Sequence, residues 1–280
     1  MKNQKVNFKE LLGFNIRVDI DSYYYKRVFG HFDLKERIND FFIGKLEQKI
    51  VPWHAVWCQP WPMDYRTKKE FRGVNFFLLR SNTTGFCPYW LPRSYLKDKE
   101  IQPKEGEKGT PVIIKKDRVP QIETFYNIKQ LQNFDMPEIK KPKRYPPEIT
   151  ADKVFEYFKD IKKYDDFDFK IEDFKGQDPD HFYYLLFQYF VFNRYCREYK
   201  KETPFKPDIY DKETLIFKIG AAFLAAYCRI STPYYSMSGL ELNKWKMLLM
   251  EDKNAIFEAA AIALKMYDSF VSTIELKQAS

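Results

Sequence analysis

The sequence predicts an α+β fold in which an N-terminal α+β half precedes a mainly helical half. Residues 33–50 carry apolar side chains at helical spacing, and residues 51–133 change to short apolar runs separated by Gly and Pro. From residue 151 onward the pattern becomes mainly helical. The chain has 280 residues, of which 45% are apolar, which is enough for one large domain or two ordinary ones.

The N-terminal half begins with one predicted amphipathic helix, for which Asp33 is placed as the cap. Its apolar residues at helical spacing are Leu34, Ile38, Phe41, Phe42 and Leu46. The short runs "VNFFLL", "YWL" and "TPVIIK" follow, and their separation by Gly and Pro predicts strands and loops.

A proline-rich basic segment separates the two halves. Residues 133–150 contain four prolines with little apolar periodicity, which predicts a linker or an extended crossing segment. We therefore expect an N-terminal domain at 1–132, a linker at 133–150 and a helical domain at 151–280. The helices predicted for the last domain span 152–163, 180–200, 212–228 and 254–271.

The net charge of +8 belongs to the first half of the chain. Residues 1–145 carry 28 Lys and Arg against 17 Asp and Glu, whereas residues 146–280 carry 19 against 22. A basic excess mixed with many aromatic residues is typical of a nucleic-acid-binding surface. A basic domain that is merely soluble is the alternative.

Cysteine spacing and hydropathy favour a cytoplasmic protein. The four cysteines are widely spaced without a CxxC pair, so they predict reduced packing residues instead of a disulfide framework or a zinc knuckle. The N-terminus lacks the apolar stretch of a signal peptide, and no run approaches the ~18 apolar residues of a membrane span. We expect no membrane association.

Three tryptophans precede a basic stretch in the first half. Trp53, Trp57 and Trp61 lie four residues apart in "VPWHAVWCQPW", and "RTKKEFR" follows. Exposed aromatic faces stack on unpaired bases while Lys and Arg neutralise phosphates, so this mixture favours a single-stranded nucleic-acid surface. For each tryptophan the alternative is a place in the core, because large aromatic residues are mostly buried.

The segment "KEGEKGTPVII" at 104–114 predicts a charged turn that enters a strand. Its Gly106 and Gly109 also suit close approach of backbone amides to a phosphate, and a tight hairpin is the alternative.

Five segments of the first half occur in a characteristic order: "VPWHAVWCQPW", "FRGVNFFLL", "YWLPRSYL", "KEGEKGTPVII" and "FYNIKQ". In order and approximate spacing they resemble the N-terminal domain of the ArdC antirestriction family over about residues 33–130. One departure is that His54 and Ala55 follow the first Pro-Trp, where the family usually has Arg and Lys.

This resemblance implies that the first half binds single-stranded DNA, and RNA remains open as a partner. The candidate contact residues are Trp53, Trp57, Trp61, Arg66, Lys68, Lys69, Arg72, Asn75, Tyr89, Trp90, Lys104 and Lys108.

The second half resembles the zincin-type metallopeptidase domain of the same family. "KETLIFKIGAAFLAAYCRIS" and the Ala-rich "AIFEAAAIALKMYDSF" are similar to two of its helices, and they set the register of "HFYYLLFQYFVFNRYC". In that register Gln188, Tyr189 and Phe192 stand at the first His, the Glu and the second His of HExxH. Because that motif needs two imidazoles and a carboxylate, the resemblance implies a pseudoenzyme without metal or cofactor.

Other residues offer no complete catalytic set. The downstream Glu ligand of the family falls at Thr214 or Lys218, with Glu213 as the nearby carboxylate. His181 as a relocated ligand is a minor alternative to a capping or surface role. The chain has no GxSxG motif and no P-loop.

Three hypotheses follow. The first is a single-stranded DNA-binding antirestriction protein with an inactive zincin-like domain, encoded by a phage, plasmid or other mobile element, whose C-terminal domain serves packing or protein contacts. The second is a divergent metallopeptidase with relocated ligands. The third is a phage structural or interaction protein that contacts nucleic acid only incidentally.

Overall fold

The computed structural model describes residues 34–54, 61–82, 87–135, 137, 179–201, 209–228 and 237–278. The helices are α1 (Leu34–Glu47), α2 (Val74–Arg80), α3 (Arg93–Asp98), α4 (Pro179–Tyr199), α5 (Lys212–Cys228), α6 (Gly239–Glu251) and α7 (Ala255–Gln278). The strands are β1 (Met63–Asp64), β2 (Tyr89–Pro92), β3 (Thr110–Lys116) and β4 (Val119–Asn127). Short 3-10 turns lie at Pro52–His54 and Ile128–Gln130.

The α+β prediction is confirmed, with a mixed sheet in the first half and helices in the second. The strand order is β1-β2-β4-β3, in which β1 and β2 are parallel and the other neighbours are antiparallel. The predicted strands "YWL" and "TPVIIK" form β2 and β3, and β3 turns tightly into β4 at Asp117 and Arg118.

The prediction of a strand for "VNFFLL" is wrong: this run forms helix α2. A short apolar run does not by itself distinguish a buried helix from a buried strand. Here the side chain of Asn75 on α2 joins this helix to strand β3. Its side-chain amide donates to the Ile113 carbonyl at 2.7 Å and accepts from the Ile113 amide at 2.9 Å. These two bonds satisfy part of the free edge of β3, so α2 lies against that edge strand.

The helical half is built around α5, which is buried on nearly all sides and contacts both α4 and α7. Its boundaries are those predicted, and α4 matches its prediction to within one residue at each end. Helix α6 was not predicted from the sequence. Its first turn is held by Ser238 and Glu241, which cap each other's backbone amides reciprocally.

Side chains from both halves share one hydrophobic core. Trp61 packs against Phe76 of α2, Phe223 of α5 and Tyr267 of α7, with ring centroids 4.4, 5.7 and 5.5 Å apart. The described residues from Leu34 onward accordingly belong to one compact unit. The domain boundaries stay a prediction, because most of the linker and the helix predicted at 152–163 lie outside the described residues.

Within the described ranges, no helix is both long and apolar enough to cross a membrane.

Candidate nucleic-acid interface

The loop that follows β1 is fixed by an ion pair. The Asp64 carboxylate accepts hydrogen bonds from the Arg66 guanidinium at 2.7 Å and from the Arg66 backbone amide at 2.8 Å. Burial alone would raise the pKa of Asp64, but these bonds, with one from the Thr67 amide, hold that pKa below its ordinary value. The loop therefore has a defined shape with a charged carboxylate at its base.

Lys68 projects its ammonium over two tyrosine rings. Its Nζ lies 3.8 Å from the ring centre of Tyr65 and 4.3 Å from that of Tyr89. Partial burial lowers the pKa of Lys68. A cation over aromatic faces is attracted by their ring quadrupoles, and the side chain of Lys68 is exposed, so its ammonium is accessible to an anion.

The other predicted cations differ in what they contact. Lys69 and Lys108 are exposed, and Lys104 donates from Nζ to the Lys129 carbonyl at 2.9 Å. Arg66 is engaged by Asp64, whereas Arg72 forms an ion pair with Asp268 of α7. Both arginines are thus tied to carboxylates in this structure.

Three of the predicted stacking tryptophans are core residues. Trp53, Trp61 and Trp90 are all but fully buried. The ring of Trp53 packs on Trp245 at 5.4 Å, and the indole N–H of Trp61 donates to the Phe71 carbonyl at 2.7 Å. Their ring faces are not accessible to a nucleic-acid base. These tryptophans therefore fit the alternative, which is a place in the hydrophobic core. Trp57 lies outside the described residues.

Two further candidates have structural contacts of their own. The side-chain amide of Asn75 is hydrogen-bonded to the edge of β3. The ring of Tyr89 is buried beneath Lys68 apart from a small exposed fraction. Gly109 serves strand packing, since a Cβ there would lie 2.3 Å from Thr124 Cγ2. Gly106, with a φ of 77°, forms the predicted turn.

Sequence reasoning missed Tyr65 and Phe134, which connect the predicted cations. Both rings are half-buried, and they meet edge-on with centroids 5.6 Å apart. Phe134 also lines a surface cavity together with Lys104 and Lys129. Lys68, Tyr65, Phe134 and Lys104 therefore follow one another across a continuous surface. Sequence spacing does not predict that these residues lie together, because Phe134 is about 70 residues from Tyr65 in the sequence.

The three positions aligned with HExxH face an aromatic interior. Gln188 and Phe192 are buried, and Tyr189 is half-buried with its ring 6.2 Å from that of Phe192. Phe192 packs edge-on against Phe217 of α5, with centroids 5.3 Å apart. A phenyl ring cannot ligate a metal, so this set does not fit the two-imidazole site of a zincin.

Residues near these positions are used in other ways. The Glu213 carboxylate accepts from the Tyr195 hydroxyl at 3.2 Å and pairs with Lys201 at 3.3 Å, while Thr214 is buried. Burial and Glu213 together raise the pKa of Tyr195 to about 12. Among the residues that the structure describes, no group of three His, Cys, Asp or Glu is arranged to hold a metal ion.

Comparison with known proteins gives a consistent result. Residues 32–155 match the family described as the N-terminal domain of anti-restriction factor ArdC. Two crystal structures of the antirestriction ArdC protein from plasmid R388 are similar to the chain. The Mn(II)-bound structure gives a TM-score of 0.58 at 21% identity, covering 86% of this chain and 98% of that one. The metal-free structure gives a TM-score of 0.54 at 19% identity, covering 86% and 97%.

At these identities the two structures establish a shared fold and nothing finer. No curated protein matches the chain.

Proposed function

We propose that this chain, whose residues 32–155 match the family described as the N-terminal domain of anti-restriction factor ArdC, binds single-stranded DNA, and that its zincin-like half carries out no peptidase reaction. The setting that fits is a plasmid, phage or other mobile element, in which the protein shields incoming DNA from restriction. The proposal combines the family assignment with the surface chemistry of residues 61–135.

One observation carries the DNA-binding part: Lys68 lies over the half-buried ring of Tyr65 beside the exposed Lys69. Unpaired DNA offers phosphates and open base faces together, and binding it requires cations and aromatic rings on the same surface. The basic excess of residues 1–145 adds long-range attraction for a polyanion. An isolated basic patch would lack the adjacent rings.

The inactive character of the second half is supported by its side chains. Phe192 and Tyr189 stand where the motif would place an imidazole and a carboxylate, so neither a complete ligand set nor a general base is present at these positions. The R388 relative is described as Mn(II)-bound in one structure, and its metal is a property of that protein. A divergent metallopeptidase with relocated ligands is the competing function.

Binding of a labelled unstructured oligonucleotide, followed by fluorescence anisotropy across a salt series, tests the DNA proposal. We expect an affinity that falls steeply with salt, with a logarithmic slope of about −0.7 for each phosphate neutralised. The variant Lys68→Ala/Lys69→Ala should bind more weakly and reduce the magnitude of the slope by about 1.4.

The matched control is Lys253→Ala/Lys265→Ala, which removes the same charge from exposed positions in the helical half. Its slope should equal that of the unmodified protein. Absence of binding, or an affinity that does not change with salt, would overturn the proposed function.

A further inference from the structure

The structure has a surface cavity to which the proposed function assigns no role. It has a volume of about 290 Å³, and Ile128, Leu131 and Phe134 supply its apolar lining while Lys104 and Lys129 supply the polar one. This is the small end of the range for ligand pockets, and it suits one flat ring system. The cavity lies in the ArdC-type domain, within reach of the loop that carries Lys68.

Hydrogen bonds within the protein hold the Lys104 side chain and the backbone of the turn that carries Lys129. Asn127 and Gln130 cap each other around the 3-10 turn, with bonds of 3.1 Å to the Lys129 amide and 2.8 Å to the Asn127 amide. The Lys104 backbone amide donates to the Gln130 carbonyl at 2.7 Å, and its ammonium donates to the Lys129 carbonyl at 2.9 Å. One of three ammonium donors is thereby used, which leaves two for a phosphate.

The aromatic wall of the cavity is positioned in a similar way. Phe134 meets Tyr65 at an interplanar angle of 79°, and Tyr65 meets Tyr89 at 76°. This edge-on series fixes the orientation of Phe134 and connects the cavity with Lys68, which lies over the other two rings. A strand that crosses the loop would therefore reach the cavity without leaving a surface of cations and aromatic rings.

From this arrangement we propose that the cavity seats one nucleotide of a bound single strand. The base stacks on Phe134, and the flanking phosphates contact the ammonium groups of Lys104 and Lys129. The inference rests on the proposed single-stranded DNA binding and assigns its contact point. It favours an unpaired strand over a duplex, because a base within a duplex has both faces covered by its neighbours.

Two kinds of variant separate the stacking role from the phosphate role. Phe134→Leu keeps an apolar side chain of similar size but removes the ring face. We expect it to weaken oligonucleotide binding by about 5- to 100-fold, with no change in the salt slope. Phe134→Tyr keeps the ring and should bind as the unmodified protein does.

Lys104→Gln and Lys129→Gln should each weaken binding and reduce the magnitude of the salt slope by about 0.7. Lys115→Gln/Lys116→Gln, at exposed positions near the far end of the β3–β4 hairpin, serves as the control and should leave the slope unchanged. Thermal melts of every variant establish that the fold is retained.

The outcomes distinguish the two levels of the proposal. If the unmodified protein binds and the Phe134 and Lys104 variants bind equally well, the cavity assignment is wrong and the proposed function stands. If the unmodified protein does not bind, both are wrong. Equal binding to single-stranded and duplex oligonucleotides, with Phe134→Leu unaffected, would also overturn the stacking role.

Discussion

At the scale of single residues, the proposal that the helical half is not a peptidase depends on three positions of α4. Gln188 is 1% exposed, and its Oε1 has no hydrogen-bond partner in the part of the chain that the structure describes. An unpaired buried acceptor costs about 1–3 kcal/mol. Phe192 packs against the rings of Tyr189 and of Phe217 on α5. The alignment of these three positions with HExxH stays a prediction from the sequence, whereas their burial is seen in the structure.

The metal content of the purified protein checks this assignment. After dialysis against Zn(II) or Mn(II) and removal of free metal, we expect well below one equivalent of metal per protein chain. The reason is that Phe192 and Tyr189 stand in place of an imidazole and a carboxylate of HExxH. Elemental analysis by mass spectrometry supplies the measurement. Stoichiometric metal that a chelator removes, together with peptidase activity, would instead establish the divergent metallopeptidase.

At the scale of secondary-structure elements, the helical half depends on a close approach of α4 and α5. A Cβ built on Gly220 of α5 would lie 2.7 Å from Cγ2 of Val191 on α4, which is closer than real Cβ contacts come. Glycine at this position therefore sets the distance between the two helices. The sequence showed the small residues of "IGAAFLAA" and hence that a neighbour packs closely, but not that the neighbour is Val191.

Gly220→Ala should lower the free energy of unfolding by about 1–3 kcal/mol, because the added methyl group overpacks this contact. Chemical denaturation monitored by far-UV circular dichroism gives the value. The double variant Gly220→Ala/Val191→Ala makes room for the methyl group and should recover part of the loss.

Gly239→Ala is the matched control, since a Cβ there meets nothing within 4 Å. It should leave stability unchanged or raise it by up to about 1 kcal/mol. Equal destabilisation by both glycine substitutions would mean that the helix contact is not the cause.

The long predicted helices α4 and α5 are confirmed, whereas one of the three short apolar runs predicted as strands is a helix. The 17 residues of α5 and the 21 of α4 repeat their apolar pattern over several turns, which only a helix satisfies. The seven residues of α2 span only two turns, and the hydrogen bonds between Asn75 and Ile113 show that this helix packs against β3. Helix α6 does carry a sequence signal, because Ser238 and Glu241 have the spacing of a capping box.

At the scale of the whole molecule, the described residues of the two halves are joined by aromatic packing. Trp61 contacts α2, α5 and α7 at once, and Trp53 packs on Trp245 of α6. The Tyr184 hydroxyl of α4 donates to the Trp53 carbonyl at 3.3 Å. These contacts cross the predicted linker, so the two halves should unfold together.

Trp61→Phe tests this coupling. We expect it to lower the free energy of unfolding by about 2 kcal/mol, through loss of ring volume and of the hydrogen bond to the Phe71 carbonyl. Four of the five tryptophans precede residue 100, so fluorescence reports mainly on the first half, whereas far-UV circular dichroism reports mainly on the helices. The two midpoints should coincide before and after substitution. Separate midpoints would show that the halves unfold independently.

The sequence alone determined the fold class, most long helices, the basic first half and the residue identities at 188, 189 and 192 on which the proposed loss of the HExxH ligands rests. These properties depend on composition, periodicity and residue identity at aligned positions. Only the tertiary structure decided which aromatic residues are core and which lie at the surface. The tryptophans of "VPWHAVWCQPW" and the rings of Tyr65 and Phe134 have similar chemistry, but burial depends on contacts with residues far away in the sequence. For that reason the candidate binding surface retains Lys68, loses Trp53 and Trp61, and gains Tyr65 and Phe134.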